Sequence, residues 1–209
     1  MAEQVFLLSP ANCSAQRARL LLSEQAEFYL ARQLRGPGAA LGEVFSFLSG
    51  LYFRGKLTYA RAFMQSSTGA RGIAIMTAGR GLLDPDVVVR ADDLRAFAEV
   101  PIDAAEPRYR EPLLADALAF AAQLPASGRA VLLGSIASDK YVSILLEAFG
   151  DRLMFPQAFV GRGDMSRGGL LLRAVDAGQE LEYVPVTGAM RRGTRPNKLP
   201  PRRRGEPLE

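Results

Sequence analysis

Residues 129–149 read RAVLLGSIASDKYVSILLEAF, and this stretch decides the fold class. Residues 130–133 form a short apolar run, which is typical of a strand buried inside a sheet. Gly134 and Ser135 then begin a loop, and Ser138 is a good N-cap for a helix over 139–149. A strand, a loop and a helix in this order form the repeating unit of an α/β protein.

The same alternation extends along the chain in both directions. Apolar runs predict further strands at 5–8, 73–76, 153–155 and 181–184. Helical spacing and composition predict helices at 14–22, 24–34, 41–48, 57–63, 111–124 and 166–177, with a polar link at 52–56 and a long loop at 77–86. We therefore expect one α/β domain over 1–187, with a mostly parallel or mixed central sheet and helices on both faces.

The net charge of +4 arises at the end of the chain. Residues 188–209 contain seven basic and two acidic side chains, whereas residues 1–187 have a net charge of −1. This C-terminal segment is rich in proline, glycine and arginine and has almost no apolar residues. It is therefore predicted to be a disordered basic tail.

The composition excludes several kinds of site. The chain has no histidine and one cysteine, so neither the usual zinc sites nor an intrachain disulfide can form. We predict no metal and no cofactor. The first residues do not resemble a secretory signal, and no apolar run approaches the roughly 20 residues of a membrane-spanning helix. We therefore expect a cytoplasmic protein with no membrane partner, and the sequence leaves its oligomeric state open.

Four polar loops are the first candidates for a binding site, because ligands of open α/β sheets bind beyond the carboxyl ends of the strands. These loops cover residues 9–14, 77–86, 135–141 and 162–167, and we expect them to converge on one cleft. The side chains predicted to contact a ligand, including three from the 52–56 link, are Ser9, Asn12, Tyr52, Arg54, Lys56, Arg80, Ser135, Ser138, Lys140, Tyr141, Arg162, Ser166 and Arg167.

The loop at 134–141 joins a strand to a helix N-terminus, where free N–H groups and the helix dipole favour an anion such as a phosphate or carboxylate. Ser138 and Asp139 also fit ordinary helix capping, and taken alone capping is the better explanation for them. Capping does not explain Lys140 and Tyr141, which keeps the anion site in consideration.

Residues 161–169, GRGDMSRGG, combine two arginines with four glycines. Glycines let a backbone approach a ligand closely, and guanidinium groups form bidentate hydrogen bonds with anions. The alternative is a glycine-rich connection with solvated arginines. Gly168 and Gly169 within a first helical turn each lower the stability of the helix by roughly 1 kcal/mol relative to alanine. This cost indicates that the backbone must approach another group closely at these residues.

Three residues are candidates for catalysis. Asp139 and Asp164 are predicted to act as acid or base, or to stabilise a cationic sugar-like transition state. Cys13 follows a strand near a helix start, where a thiol can ionise and act as a nucleophile, although the chain lacks the histidine that commonly serves as its base. A small residue filling a tight loop is the more common role for such a cysteine.

Several short motifs, in order along the chain, resemble the YaaA-like peroxide-stress family. Ser9, Pro10 and Ala11 after the first apolar run resemble the family's Ser-Pro-Ala, and residues 49–52 resemble its Ser-Gly-Leu-Tyr. Residues 81–86 resemble Gly-x-Leu-x-Pro-x-Asp, residues 137–141 match Ala-Ser-Asp-x-Tyr, and residues 162–167 match Arg-Gly-x-Met-x-Arg. Lys140 replaces the acidic residue that usually precedes the tyrosine, which indicates a divergent branch.

The resemblance implies a compact mixed α/β fold with a positively charged cleft, binding of distorted DNA and a role in limiting oxidative damage. The motif pattern is also similar to that of proteins associated with modified-base and ribosyl-transfer chemistry. Three hypotheses follow. The first is a module that binds DNA or a nucleotide-like anion, and the second is a metal-independent hydrolase or transferase acting on a nucleobase, nucleoside or nucleotide. The third is a scaffold whose basic tail recruits a partner.

Overall fold

The computed structural model describes residues 4–64, 72–197 and 199–200. Its central feature is a six-stranded mixed sheet, made of β1 (Gln4–Leu8), β3 (Ile73–Met76), β4 (Leu82–Leu83), β6 (Arg129–Leu133), β7 (Leu153–Pro156) and β8 (Tyr183–Pro185). Across the sheet these strands lie in the order β4-β3-β1-β6-β7-β8. The four inner strands are parallel, and the edge strands β4 and β8 are antiparallel to their neighbours. A separate antiparallel pair joins β2 (Ala39–Ala40) to β5 (Val88–Val89).

Eight α-helices within the described residues cover the sheet. Their bounds are α1 (Gln16–Leu22), α2 (Tyr29–Arg35), α3 (Leu41–Ser49), α4 (Leu51–Phe63), α5 (Ala91–Glu99), α6 (Pro107–Gln123), α7 (Val142–Phe149) and α8 (Asp164–Asp176). Short 3₁₀ turns cover Gly150–Arg152 and Gln157–Phe159. The predicted α/β fold with a mixed sheet and helices on both faces is confirmed.

The alternation of side chains along the strands divides the apolar core into two layers. Phe6 and Leu8 of β1 belong to the core that includes residues of α1–α5 and α8. Val5 and Leu7 point to the other face and pack with residues of α6 and α7. Both faces of the inner strands are therefore buried, which explains why their sequences are continuously apolar.

The connections after β1 and β6 leave the sheet in opposite directions. The chain after β1 continues into helices of the first core layer, whereas the chain after β6 continues into α7 in the second layer. The two strands are hydrogen-bonded neighbours, with Leu8 opposite Leu133. Neighbouring parallel strands whose connections diverge leave a crevice at their carboxyl ends, and ligands of open α/β sheets bind there.

Two glycines allow the backbones of α4 and α8 to touch. A Cβ atom on Gly55 would lie 2.8 Å from the Gly168 carbonyl oxygen, and one on Gly168 would lie 2.8 Å from the Leu51 carbonyl oxygen and from the Tyr52 Cα atom. The close approach predicted for Gly168 is therefore made to a neighbouring helix. The contact sets Tyr52 and Lys56 of α4 beside the first turn of α8.

Three local predictions were wrong. The polar link at 52–56 is the first half of α4, because Tyr52, Phe53 and Lys56 are buried on one side of a continuous helix. The helix after β6 begins at Val142, so Ser138 lies in the preceding loop and does not cap it. The long loop at 77–86 contains β4, which pairs with β3, and helix α5 follows where no helix was predicted.

The described part of the C-terminal segment lies against the domain. The Arg191 guanidinium hydrogen-bonds the Asp139 carboxylate, and the Arg173 guanidinium donates to the Pro200 carbonyl oxygen. A Cβ atom on Gly161 would collide with the Thr194 carbonyl oxygen, which shows how closely that segment passes. None of the helices in the described ranges combines the length and hydrophobicity needed to cross a membrane.

Candidate functional site

A polar cleft of about 660 Å³ opens beyond the carboxyl ends of β1 and β6. It is built from the loop after β1, the first half of α4, the end of α5 with the chain after it, the loop after β6 and the start of α8. The residues that line it are Ser9, Pro10, Ala11, Asn12, Cys13, Ser14, Ser49, Tyr52, Lys56, Phe97, Ala98, Glu99, Val100, Pro101, Ile102, Ser135, Ser138, Lys140, Tyr141 and Asp164.

Lys56 lies at the floor of this cleft and is 1% exposed. Its Nζ atom donates to the Ser9 carbonyl oxygen at 2.6 Å and to the Ser9 Oγ atom at 2.9 Å. The same atom lies 4.7 Å from the centre of the Tyr52 ring and 4.5 Å from that of Phe53. Burial lowers the pKa of Lys56 to about 7, and the nearby Asp164 carboxylate opposes this shift. The amine therefore exchanges between its charged and neutral forms near neutral pH.

Ser9 and Tyr141 meet over Gly134. A Cβ atom on Gly134 would lie 2.8 Å from the Tyr141 hydroxyl oxygen and 3.0 Å from the Ser9 Cβ atom, so a larger residue would push these two side chains apart. The Tyr141 hydroxyl donates to the Ser135 carbonyl oxygen and accepts from the Ser135 N–H, both at 2.9 Å. Burial raises the pKa of Tyr141, while hydrogen bonds from Ser135 and Ser9 lower it. The tyrosine thus fixes the loop after β6 against the loop after β1.

Tyr52 contributes a polar atom without a partner in the described structure. The residue is 7% exposed, and its hydroxyl makes no hydrogen bond of standard geometry to the described residues, although the Arg167 guanidinium lies close enough to interact with it. Burial raises the pKa of Tyr52, and the adjacent Arg167 guanidinium opposes the shift. Buried hydroxyl groups without a partner are rare and costly, which makes this one a candidate for contact with a ligand or an ordered water.

Arg167 and Asp164 form the edge of the site on α8. Arg167 is 8% exposed. Its guanidinium donates to the Asp164 carboxylate at 3.3 Å and to the Phe159 carbonyl oxygen at 3.3 Å, and it lies over the Phe159 ring. Asp164 is exposed and lines the cleft, whereas Arg167 lies behind it. Arg167 is therefore placed to orient Asp164 and to adjust the charge near Tyr52.

The structure brings eleven of the predicted site residues together and places the others elsewhere. Those that line the cleft are Ser9, Asn12, Cys13, Tyr52, Lys56, Ser135, Ser138, Lys140, Tyr141 and Asp164, with Arg167 directly behind. Asn12 is also engaged locally, since its side-chain oxygen accepts from the Ser14 N–H and hydroxyl groups.

The remaining predicted residues do not line the cleft. Asp139 lies in the same loop as Ser138 and Lys140 but pairs with Arg191. Arg80 pairs with the Asp93 carboxylate at the start of α5, and Arg54 projects from the exposed side of α4. Arg162 and Ser166 hydrogen-bond each other and line a second cleft, between α8 and the C-terminal segment. Whether two predicted residues meet in space depends on the directions of the helices that carry them. The order of the motifs along the chain does not give those directions.

Sequence reasoning missed the contribution of α5 and the residues after it. Phe97, Glu99, Pro101 and Ile102 line the cleft. Leu94 and Phe97 are buried three residues apart on α5, and this helical spacing was the signal available in the sequence. No group of three or more Cys, Asp or Glu side chains in the described ranges is gathered in a way that would hold a metal ion.

Cys13 is buried and its thiol is poorly suited to ionisation. Burial raises the pKa of Cys13 to about 12 from an ordinary value of 9.0, and its sulfur donates weakly to the Ala11 carbonyl oxygen. Since the thiolate is the reactive form, a shift of this size lowers the reactive fraction roughly a thousandfold near pH 8.

We expect iodoacetamide to alkylate Cys13 in the native protein at least tenfold more slowly than in urea-unfolded protein. The rates are measured by mass spectrometry at about pH 8, with a cysteine-containing peptide as the reference. Equal rates in the folded and unfolded states would contradict the buried, protonated thiol and restore Cys13 as a nucleophile.

Comparisons of the chain with protein-family models, with curated proteins and with solved structures found no match. The resemblance to the YaaA-like family therefore remains a prediction from the motifs.

Proposed function

We propose that this protein is a metal-independent enzyme that acts on a small nucleoside-type or nucleotide-type substrate bound in the cleft. The observation that carries the proposal is the buried Lys56 amine at the floor of the cleft, with a pKa of about 7. Strongly perturbed ionisable groups in clefts concentrate at functional sites, and a group that titrates near neutral pH transfers protons efficiently. A buried lysine that served only packing would be replaced more stably by an apolar side chain.

The size and place of the cleft support a small substrate. Its volume of about 660 Å³ lies within the range of about 300–1,000 Å³ that is typical of small-molecule pockets. The cleft lies where the connections after β1 and β6 diverge, the place where open α/β sheets bind nucleotides. The resemblance to the YaaA-like family independently implies a partner of the nucleic acid class.

The side chains in the cleft divide into groups with different roles. The unpartnered Tyr52 hydroxyl is assigned to a substrate hydrogen bond, and Lys140 and Ser138 at the rim are assigned to an anionic group such as a phosphate. Asp164, oriented by Arg167, is assigned to proton transfer or to stabilising a developing positive charge. Asp139 is not given a role in this scheme, because its carboxylate pairs with Arg191.

Binding of a DNA strand is the second hypothesis, and it stays a prediction. It requires cations along an extended path, and the cleft lining combines two lysines, Lys56 and Lys140, with the carboxylates of Glu99 and Asp164. Arg54, Arg80 and Arg162 lie outside that lining. A balanced cleft favours a small polar ligand over a phosphate backbone, whose binding depends on several cations.

Thermal unfolding in the presence of single compounds tests the proposal. Nucleosides, nucleoside monophosphates, free bases and a short single-stranded DNA are each added in excess, and compounds that raise the Tm are incubated and analysed for products. We expect at least one small compound to raise the Tm, because ligand at 100 times its Kd stabilises by about 2.7 kcal/mol. Stabilisation by DNA alone, lost steeply as salt rises, would favour the DNA-binding hypothesis instead.

Two matched pairs of variants locate the binding site. Tyr52→Phe and Tyr109→Phe each remove a buried hydroxyl that has no partner in the described structure, but only Tyr52 lines the cleft. We expect the first to weaken ligand affinity by about tenfold, the value of one hydrogen bond, and the second to leave it unchanged. Asp164→Asn is expected to abolish turnover, while Asp139→Asn retains it. The reverse order in either pair would contradict the proposed site.

A further inference from the structure

Ser9 and Lys56 make a contact that substrate binding alone does not require. The Lys56 Nζ atom lies 2.9 Å from the Ser9 Oγ atom and 2.6 Å from the carbonyl oxygen of the same residue. Ser9 follows β1 directly, at the centre of the parallel strands, and both residues line the cleft. A hydroxyl group that faces a ligand cleft and contacts a buried amine has the arrangement of an activated nucleophile.

We propose that Ser9 is a nucleophile with Lys56 as its general base, and that the substrate carries a carbonyl group in an ester, amide or thioester. The inference rests on the proposed function and deepens it, because it assigns a reaction class to the substrate held in the same cleft. Pairs of serine and lysine replace the usual triad in some hydrolases and require no histidine. This chain has no histidine at all.

The surroundings of Lys56 keep its amine available as a base. Its hydrogen bonds go to Ser9, and the cost of burying the charge lowers its pKa to about 7. The groups that face it across the site are Asp164 and Arg167 of α8, Tyr52 of its own helix, Tyr141 from the loop after β6, Cys13 from the loop after β1, and Glu99 and Lys140 at the rim. Of these, Asp164 raises the pKa of Lys56.

The first half of the reaction transfers the acyl group to Ser9. In neutral Lys56 one Nζ–H group donates to the Ser9 carbonyl oxygen, and the lone pair accepts the hydrogen of the Ser9 hydroxyl. The Oγ atom attacks the substrate carbonyl carbon, a new Oγ–C bond forms, and the hydroxyl proton moves to Nζ. The bond from that carbon to the leaving group then breaks, and the leaving group takes the proton from Nζ.

The second half releases the acyl group and restores the site. A water molecule gives a proton to Nζ while its oxygen bonds to the carbonyl carbon of the acyl-serine ester. The Oγ–C bond breaks, the acid product departs, and Ser9 regains a proton from Nζ. No oxidant, reductant or metal enters the balance. Gly134 contributes by letting Ser9 and Tyr141 approach each other, which holds the nucleophile in place.

Phenylmethanesulfonyl fluoride is the probe for this inference. An activated serine forms an Oγ–S bond with it, the S–F bond breaks and fluoride leaves, while the serine proton passes to Lys56. We expect one adduct per chain, mapped to Ser9 by peptide mass spectrometry. The rate should rise with pH and level off above about 7, and Lys56→Met should lower it by about 100-fold or more. Ser143→Ala, an exposed serine on α7, serves as the control and should label like the wild type.

The outcomes separate this inference from the proposed function. An adduct on another residue, no adduct, or equal labelling of Lys56→Met overturns the Ser9–Lys56 pair. If that variant does not fold, the pH profile of the wild-type protein decides, because a rate that does not change near pH 7 also overturns it. Nucleosides that raise the Tm without any labelling of Ser9 would leave the proposed function standing alone. If Ser9 is labelled but no nucleoside raises the Tm, the Ser9–Lys56 pair is retained and the nucleoside-type substrate is contradicted.

Discussion

Replacement of Gly168 by alanine should lower the free energy of unfolding by about 2 kcal/mol, even though alanine is the better helix former by about 1 kcal/mol. The new Cβ atom would lie 2.8 Å from the Leu51 carbonyl oxygen and from the Tyr52 Cα atom, both in the backbone of α4. Backbone atoms cannot rotate away, so the two helices must separate. Urea denaturation measures the loss, and a domain of this size should show a Tm lower by roughly 4–8 °C.

Gly169→Ala is the matched control, because it changes the adjacent residue of the same helix. A Cβ atom there would meet only the mobile end of the Arg173 side chain at 3.3 Å and Leu199 at 3.9 Å. We expect this variant to be as stable as the wild type or more stable by up to about 1 kcal/mol, the gain in helix propensity. Equal effects of the two substitutions would show that the contact between α4 and α8 does not require glycine.

The second large effect concerns the pH dependence of stability and the Lys56→Met variant. Because the folded-state pKa of Lys56 is about 7 and its ordinary value is 10.5, the unfolded chain binds more protons than the folded protein between these values. The contribution of Lys56 to stability therefore rises with pH through this window and is smallest below pH 7. Its slope approaches about 1.4 kcal/mol per pH unit in the middle of the window.

Lys56→Met should remove this slope, and the difference is measured by urea denaturation between about pH 6 and 8.5. Above that range the buried Cys13 thiol, whose pKa is about 12, begins to reduce stability as pH rises, since the unfolded thiol ionises first. The variant should also be more stable than the wild type near pH 6, because no buried charge remains. Lys140→Met replaces an exposed lysine of the same cleft and should keep the wild-type slope. Identical slopes for Lys56→Met and the wild type would contradict a buried, titrating amine.

The strands and most helices could be predicted because each is specified by local pattern. The apolar runs at Ile73–Met76 and Arg129–Leu133 are buried on both faces, so their composition alone identifies them. The segment 52–56 was misjudged because Arg54, Gly55 and Lys56 look polar and helix-breaking in isolation. In the fold Gly55 allows α4 to contact α8 closely, and the Lys56 side chain is buried. The local composition of the segment indicates neither role.

The candidate site was predicted in part for the same reason. Loops after parallel strands gather at one edge of a sheet, so Ser9, Ser135 and Ser138 were correctly expected to share a cleft. Arg162 and Arg167 lie five residues apart in one motif. Arg162 nevertheless lines a second cleft, whereas Arg167 is buried beside Tyr52. The direction of each side chain depends on where α8 begins and on the angle at which it meets α4.

The sequence by itself determined the fold class, the polar loops at the carboxyl ends of the strands and the lack of histidine chemistry, because hydrophobic patterning and composition act locally. Only the tertiary structure decided that Lys56 is buried against Ser9, that Cys13 is shielded and that Asp139 pairs with Arg191. Burial and pairing depend on which distant segments meet. Contacts between distant segments change the free energy of an ionised side chain by several kcal/mol, although the residue types themselves stay the same.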